Sequence, residues 1–341
     1  MTMASRRTAF AATAPAEMKS LYSRLRAAGY DAEFVRNWVL PDWWEDSLAQ
    51  NPANRALAEI AISRMLGLPI QTLRDPQAKL ERPLVGDVRL KRLRSTKPDE
   101  VAPAIVLAQQ AATTIVPFLQ NLPPFTPQRD PLVIRAALLK TNPVVDLGAL
   151  VEFAWSAGVA ILHLSALPTA SKKFSGLALF SDARPVDVLA SASDSPPWLA
   201  FHLAHELGHI MLGHVQVGQD GLADIDFAKL EDEGTEEEAD RFALLLLTGH
   251  PEPQLKAVYG MTAEKLVAAA RQTQQSQRVD AGTIALVYGL TAKRMPVAQN
   301  ALKLMQMHRG ARAILGSALK RRLPADLPEV VERFAALAGA A

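Results

Sequence analysis

The sequence predicts an α+β fold, mostly α, in which a small antiparallel sheet lies beside one buried helix and helical N- and C-terminal regions flank both. Three observations lead to this. The stretch WLAFHLAHELGHIMLGH, residues 198–214, is apolar on nearly every side, which marks a buried helix. Three short apolar runs, Val159–Leu164, Phe174–Phe180 and Pro185–Ala190, precede it and are joined by turn-type sequence, the pattern of short strands. Helical periodicity dominates the chain before and after them.

Taken in order, Met18–Gly29 reads as a short amphipathic helix ended by glycine, and Ala32–Leu40 as another stopped by Pro41. Asn54 is positioned to cap a helix that runs to Gly67. The Gly67–Pro69 break and the short helix after it loosely resemble a helix-turn-helix, which would allow contact with DNA or a repressor. The same segment also suits a small helical bundle anchored by Trp38, Trp43 and Trp44. Residues 79–97 are locally basic, and Arg89, Lys91, Arg92 and Arg94 either reach phosphates or form a solvated face. Val101–Leu119 follows as a helix ended near Pro117. Pro123, Pro124, Pro127 and Pro131 then mark a linker.

These signals divide the chain into a helical N-terminal region with its proline-rich linker (1–127), a middle domain (128–250) and a helical C-terminal region (251–341). In the middle domain, Asp146–Gly158 is a helix leading into the strands. Residues 216–234 have no clear period and read as a loop. Thr235 with Glu238 makes a capping box for a new helix. The C-terminal region offers helices over Ala263–Gln274, Ala281–Leu290, Val297–Met307, Ala311–Arg322 and Val330–Leu337.

Composition narrows the chemistry. The 341 residues include no cysteine, which excludes disulfides, thiolate metal sites and a cysteine nucleophile. The formal net charge is +2, so no global field draws the chain to nucleic acid or to an anionic membrane. The N-terminal stretch lacks the apolar core of a signal peptide, and no run is both long and charge-free enough for a membrane span. A soluble, cytoplasmic protein is expected.

The chemistry sits in residues 202–209. His205 and His209 are one turn apart on one helical face, a spacing that lets two imidazoles hold one metal ion. Glu206, about 100° round the helix from His205, can take a proton from a water at that metal. An unpaired carboxylate in an apolar helix is costly, so a cation is the economical partner. A catalytic zinc site uses three protein ligands and leaves one position open. The metzincin spacing fails, because Leu212 and Val215 stand where glycine and histidine are required. His202 shares the polar stripe and could be a ligand or a donor behind one. His214 is one residue short of the metzincin position and is expected to point away from that stripe. Glu236 and Asp240, at i and i+4 on the next helix, match the gluzincin logic. Glu236 would complete the coordination, with Glu237 as its rival, and Asp240 would orient a ligand histidine through its other nitrogen.

With LVEFAWSAGVAILHLSALP, FSGLALFSDARPVDVLA, FHLAHELGHIMLGH and EEEADRFALLLL in this order and spacing, residues 140–250 resemble the ImmA/IrrE family of metallopeptidases. That resemblance implies a zincin-like core. It implies His205, His209 and Glu236 as ligands of one zinc ion (manganese or another divalent ion being an alternative), with Glu206 as the base. The family usually carries Asn where this chain has Asp240, and L-L-M-P where it has LLLLTGHPEP. The resemblance further implies cleavage of an XRE-type helix-turn-helix repressor, relieving repression in a stress response or mobile element. A competing expectation is a module that binds a repressor or DNA and uses its metal for structure or sensing.

Overall fold

The computed structural model of the chain describes residues 15–80, 89–90, 98–169, 174–215, 233–253, 255 and 258–340. The basic side chains at 89, 91, 92 and 94 and most of the expected loop at 216–234 lie outside what is described. The N-terminal region contains α1 (Ala16–Ala27), α2 (Ala32–Phe34, continued by a π-helical stretch over Val35–Val39), α3 (Pro52–Leu66), α4 (Ile70–Arg74), the two-residue strand β1 (Arg89–Leu90) and α5 (Pro98–Ile115). Then come α6 (Pro131–Thr141), α7 (Leu147–Ser156), β2 (Ala160–His163), β3 (Gly176–Ser181), β4 (Arg184–Leu189), α8 (Pro196–Leu212) and α9 (Glu233–Thr248). The chain closes with α10 (Ala263–Gln277), α11 (Ala281–Thr291), α12 (Met295–Leu304), α13 (Ala311–Lys320) and α14 (Glu329–Leu337). The mostly helical α+β character is as expected.

Local signals explain most boundaries. The α3 helix starts earlier than the Asn54 reading: Asn51 accepts from the Ala53 amide and Pro52 occupies the first turn, where its missing N–H costs nothing. The short helix beyond Gly67, α4, has only 5 residues, and Arg24 binds the carbonyls of Leu73 and Ala78 that follow or end it. A recognition helix of ordinary length is therefore not formed at Ile70–Arg74. The 18-residue window Val101–Phe118 is apolar enough to cross a membrane, yet 67% of it is buried inside the fold, as in a core helix.

The sheet departs from the expected antiparallel form. Its order is β1-β3-β4-β2; β3 pairs antiparallel with β4, whereas β2 runs parallel to β4. The 12 residues between β2 and β3 leave room for β4 to lie between the two strands, an order that periodicity alone does not reveal. The β3–β4 hairpin turns at Asp182 and Ala183, both in the left-handed region (φ 48° and 60°), matching the twist that tight hairpins need. All residues of β3 are buried, so both sheet faces are covered, and α5 and α8 pack on these strands. The edge of β3 is occupied at Leu177 and Ala178 by β1 of the same chain.

One apolar core runs from Met18 in α1, through the sheet and α8, to Ala340 beyond α14. Helices α10–α12 hold a smaller core of their own around Leu266, Ala285, Tyr288 and Leu302. The proline-rich segment is bound to the middle of the fold: the Thr126 amide donates to the Ala157 carbonyl, and Arg184 donates to the Pro123 carbonyl. Buried Arg135 ties three helices together, reaching from α6 to the Leu247 carbonyl of α9 at 2.8 Å and to the Arg278 carbonyl after α10 at 2.8 Å.

The exposed Ala183 holds a conformation that costs an L-residue about 1 kcal/mol. Ala183→Gly is expected to raise stability by about 0.5–1 kcal/mol. Thermal unfolding of the two proteins checks this, and an unchanged or lowered Tm contradicts the turn geometry.

Candidate metal centre

The site is made where α8 and α9 meet. Helix α8 begins with Pro196 and Pro197 in its first turn and ends at Gly213 in the left-handed region. Between them His202 to Met211 are all buried, as the all-round apolar pattern predicts. Within this buried run, nearer the C-terminal end of the helix, sits Gly208. A Cβ there would lie 3.2 Å from the Ala239 Cα and 3.3 Å from the Phe242 Cβ of α9. The absent side chain thus allows the two helices to touch backbone to backbone.

That approach brings three ligand atoms together. His205 Nε2 and His209 Nε2 lie 3.1 Å apart. Glu236 Oε2 is 3.4 Å from His205 Nε2, and Glu236 Oε1 is 3.3 Å from His209 Nε2. Ligands about 2.0–2.1 Å from a tetrahedral ion sit about 3.3 Å from one another, so the triangle has the size that zinc requires. This group can hold a metal ion, as expected for His205, His209 and Glu236. The rival Glu237 is not part of the cluster. With no metal bound and Nε2 protonated, burial alone would raise the Glu236 carboxyl, but hydrogen bonds and charge from His205 and His209 overcome it and hold the group well below the usual carboxylate range; a metal would take the place of those protons. Glu236 remains 28% exposed at its side chain while both imidazoles are buried, so the site opens to solvent on the carboxylate side.

Each ligand histidine is held from behind. His205 Nδ1 lies 2.8 Å from Asp240 Oδ1, the partner expected for it. The imidazole therefore donates Nδ1–H to the carboxylate and turns its Nε2 lone pair toward the site. His209 has a longer chain of support. Its Nδ1 is 3.1 Å from His214 Nδ1, and His214 Nε2 is 2.9 Å from Glu238 Oε2. Protons run one way along that chain: His209 donates to His214, His214 donates to Glu238, and the His209 Nε2 lone pair again faces the metal position.

His214 had been expected to point away from the metal stripe. The turn at Gly213 swings it back against His209 instead. Helix α9 also starts at Glu233, so Thr235 lies inside the first turn rather than at the cap, and Glu238 serves His214. His202 is buried, but its ring packs edge-on against Trp198 and Phe201, with centroids 5.4 and 6.1 Å away, and it is not in the ligand cluster.

Glu206 is fully buried beside the ligands. It rests on Gly176 of β3, where a Cβ would come within 2.4 Å of Glu206 Oε1. Any larger residue at 176 would evict the carboxylate. Asp187 of β4 is buried in the same floor and was not singled out from sequence, although an acid in the middle of the apolar run RPVDVLA was a visible signal.

Comparison with family models, with curated proteins and with solved structures finds no match to this chain. The site therefore stands on its own geometry.

Titration of purified protein with zinc is expected to show one ion bound per chain. Alanine at His205, His209 or Glu236 should abolish that binding, and Asp240→Ala should weaken it by about 10–100-fold. Gly208→Val touches no ligand atom, yet should also weaken binding by forcing α9 outward. Calorimetry checks these, and an Asp240→Ala protein that binds as tightly as the parent contradicts the orienting role.

Proposed function

We propose that the chain is a cytoplasmic, zinc-dependent endopeptidase of the ImmA/IrrE type. On this reading it cuts an XRE-type helix-turn-helix repressor and so relieves repression in a stress response or mobile element. The observation that carries the chemical part is the metal-sized triangle of His205, His209 and Glu236 with the buried Glu206 carboxylate beside it. A structural zinc site is closed by four protein ligands, whereas this cluster offers three among the described residues and is partly exposed at Glu236. That supports catalysis over a purely structural role.

His205, His209 and Glu236 would hold a divalent cation, which when bound would supply polarisation of a water and of the scissile carbonyl. Glu206 accepts a proton from that water as its oxygen bonds to the carbonyl carbon. Glu206 then returns the proton to the amide nitrogen as the C–N bond breaks, so the base is regenerated in each cycle. Asp240 and the His214–Glu238 pair keep the imidazoles aimed throughout. Next to Asp240 a groove of about 660 Å³, lined by Phe201, Leu244, Leu255, Val287 and Leu290, offers apolar surface for substrate side chains.

The test is incubation of zinc-loaded protein with candidate XRE-type repressors, followed by mass spectrometry of the products. Cleavage that stops with chelator supports the proposal. Glu206→Gln should keep the metal and lose at least about 100-fold in rate. A Glu206→Gln protein that cleaves like the parent overturns the mechanism. A stable, uncut repressor complex with zinc bound points instead to a binding module with a sensory metal.

A further inference from the structure

We propose that the groove between α8, α9 and α11 selects the substrate: it takes a bulky apolar side chain (leucine, methionine or phenylalanine) one or two residues from the scissile bond, and Leu290 sets the fit. This names a substrate class for the peptidase proposed above and rests on that reading; the seating of the side chain itself does not require turnover.

The groove continues the metal centre along the same two helices. On α8, Phe201, His205 and His209 follow at intervals of four, and on α9 Glu236, Asp240 and Leu244 do the same. Residues so spaced share a helical face. Their contacts pair the two rows in opposite order. Glu236 lies against both ligand histidines, Asp240 against His205, and Asp240, Phe201 and Leu244 together line the groove. The groove therefore opens one turn, about 5.4 Å, along from the histidine pair. An extended peptide advances about 3.3 Å per residue. The side chain that reaches the groove thus belongs to a residue one or two positions from the bond held at the metal.

The facing wall comes from the C-terminal helices. Val287 and Leu290 of α11 stand in it, together with Leu255 from the chain after α9. Helices α10–α12 have an apolar core of their own, so this wall is a separate unit laid against α8 and α9. Two arginines fasten it. Arg135 of α6 donates to the Leu247 carbonyl in the last turn of α9 and to the Arg278 carbonyl after α10. Arg278 in turn donates to the Leu139 and Asn142 carbonyls, each at 2.6 Å. The Thr291 hydroxyl, 3.2 Å from the Leu255 carbonyl, joins the two parts of the wall. The groove is thus held open before anything enters it, as ligand sites usually are.

Its chemistry favours an uncharged, bulky guest. Phe201, Leu244 and Leu255 are only partly buried, and Leu290 is 46% exposed. Covering that surface with an apolar side chain is favourable. The charged groups at the rim, Glu252 and Lys293, are one of each sign, so no net field draws a charged side chain. Asp240, bonded to His205, repels an acidic one. An apolar cavity of about 150 Å³ holds a benzene ring. A groove of about 660 Å³ therefore seats leucine or phenylalanine with room for the flanking peptide, while alanine leaves most of it unfilled.

Binding is read first, on the full chain carrying Glu206→Gln with zinc present, so that peptides bind without being cut. Blocked tripeptides acetyl-Gly-Xaa-Gly-amide, with Xaa alanine, leucine or phenylalanine, are titrated and followed by methyl NMR. The leucine and phenylalanine peptides should shift the methyls of Leu244, Val287 and Leu290 and bind about 10–100-fold more tightly than the alanine peptide. Leu290→Lys should remove that advantage and Leu290→Met should keep it. Leu304→Lys, at a similarly exposed leucine outside the groove, should keep it too. Equal binding of the three peptides, or an undiminished advantage in Leu290→Lys, overturns the proposal. The second readout is the ratio of kcat/KM for longer peptides with phenylalanine or alanine near the scissile bond. The zinc-loaded parent should favour phenylalanine about 10–100-fold, and Leu290→Lys should collapse that ratio while Leu290→Met retains it. Cleavage with no such preference overturns the groove proposal and leaves the peptidase standing. Selective binding with no cleavage of any peptide does the reverse: the groove holds its side chain and the peptidase reading falls.

Discussion

Two helices that touch at a glycine are the constraint on which the rest of this structure depends. The ligand histidines lie on α8 and the third ligand on α9, so the metal position exists only if the helices come close enough for three polar atoms to gather about 3.3 Å apart. An ordinary helix pair, separated by side chains on both surfaces, keeps its axes about 8–10 Å apart. Gly208 opposite Ala239 and Phe242 removes side-chain bulk at the point of contact. Gathering two buried imidazoles and a half-buried carboxylate in one place costs free energy unless a cation joins them, which is why the cluster suits a metal ion.

Around that contact the fold spends its polar groups on orientation. Asp240 and the His214–Glu238 pair lie behind the histidines and set their tautomers, so that both Nε2 lone pairs converge. On the opposite side the sheet provides a floor with no bulk at Gly176 and Ala178, which gives Glu206 a place in an otherwise apolar interior. The parallel pairing of β2 with β4 matters here, because it puts β4, and Asp187 with it, in the middle of the sheet. Different layers thus build the site: helix–helix contact gathers His205, His209 and Glu236, and the sheet makes room for Glu206.

What could be read from the sequence was what local geometry decides. His205, Glu206 and His209 lie within one turn and a quarter of one helix, so their mutual placement follows from helical periodicity alone. Glu236 and Asp240 were legible for the same reason, as an i, i+4 pair. Features set by distant contacts were not legible. The direction of β2 depends on a crossover between strands, and the return of His214 depends on the left-handed turn at Gly213. The occupied edge of β3 depends on residues about 90 positions upstream. The missed cap at Asn51 is different, since Asn51-Pro52 is a local start signal that outranked Asn54. Asp187 was visible as an acid inside an apolar strand, but only the register shows that it shares a sheet face with Gly176, the residue against which Glu206 rests.

The most direct test of the central claim is anomalous diffraction at the zinc edge from crystals of the zinc-loaded chain. The account predicts one strong peak about 2.0–2.2 Å from His205 Nε2, His209 Nε2 and a Glu236 carboxylate oxygen. A peak elsewhere, or no peak between α8 and α9, would contradict it.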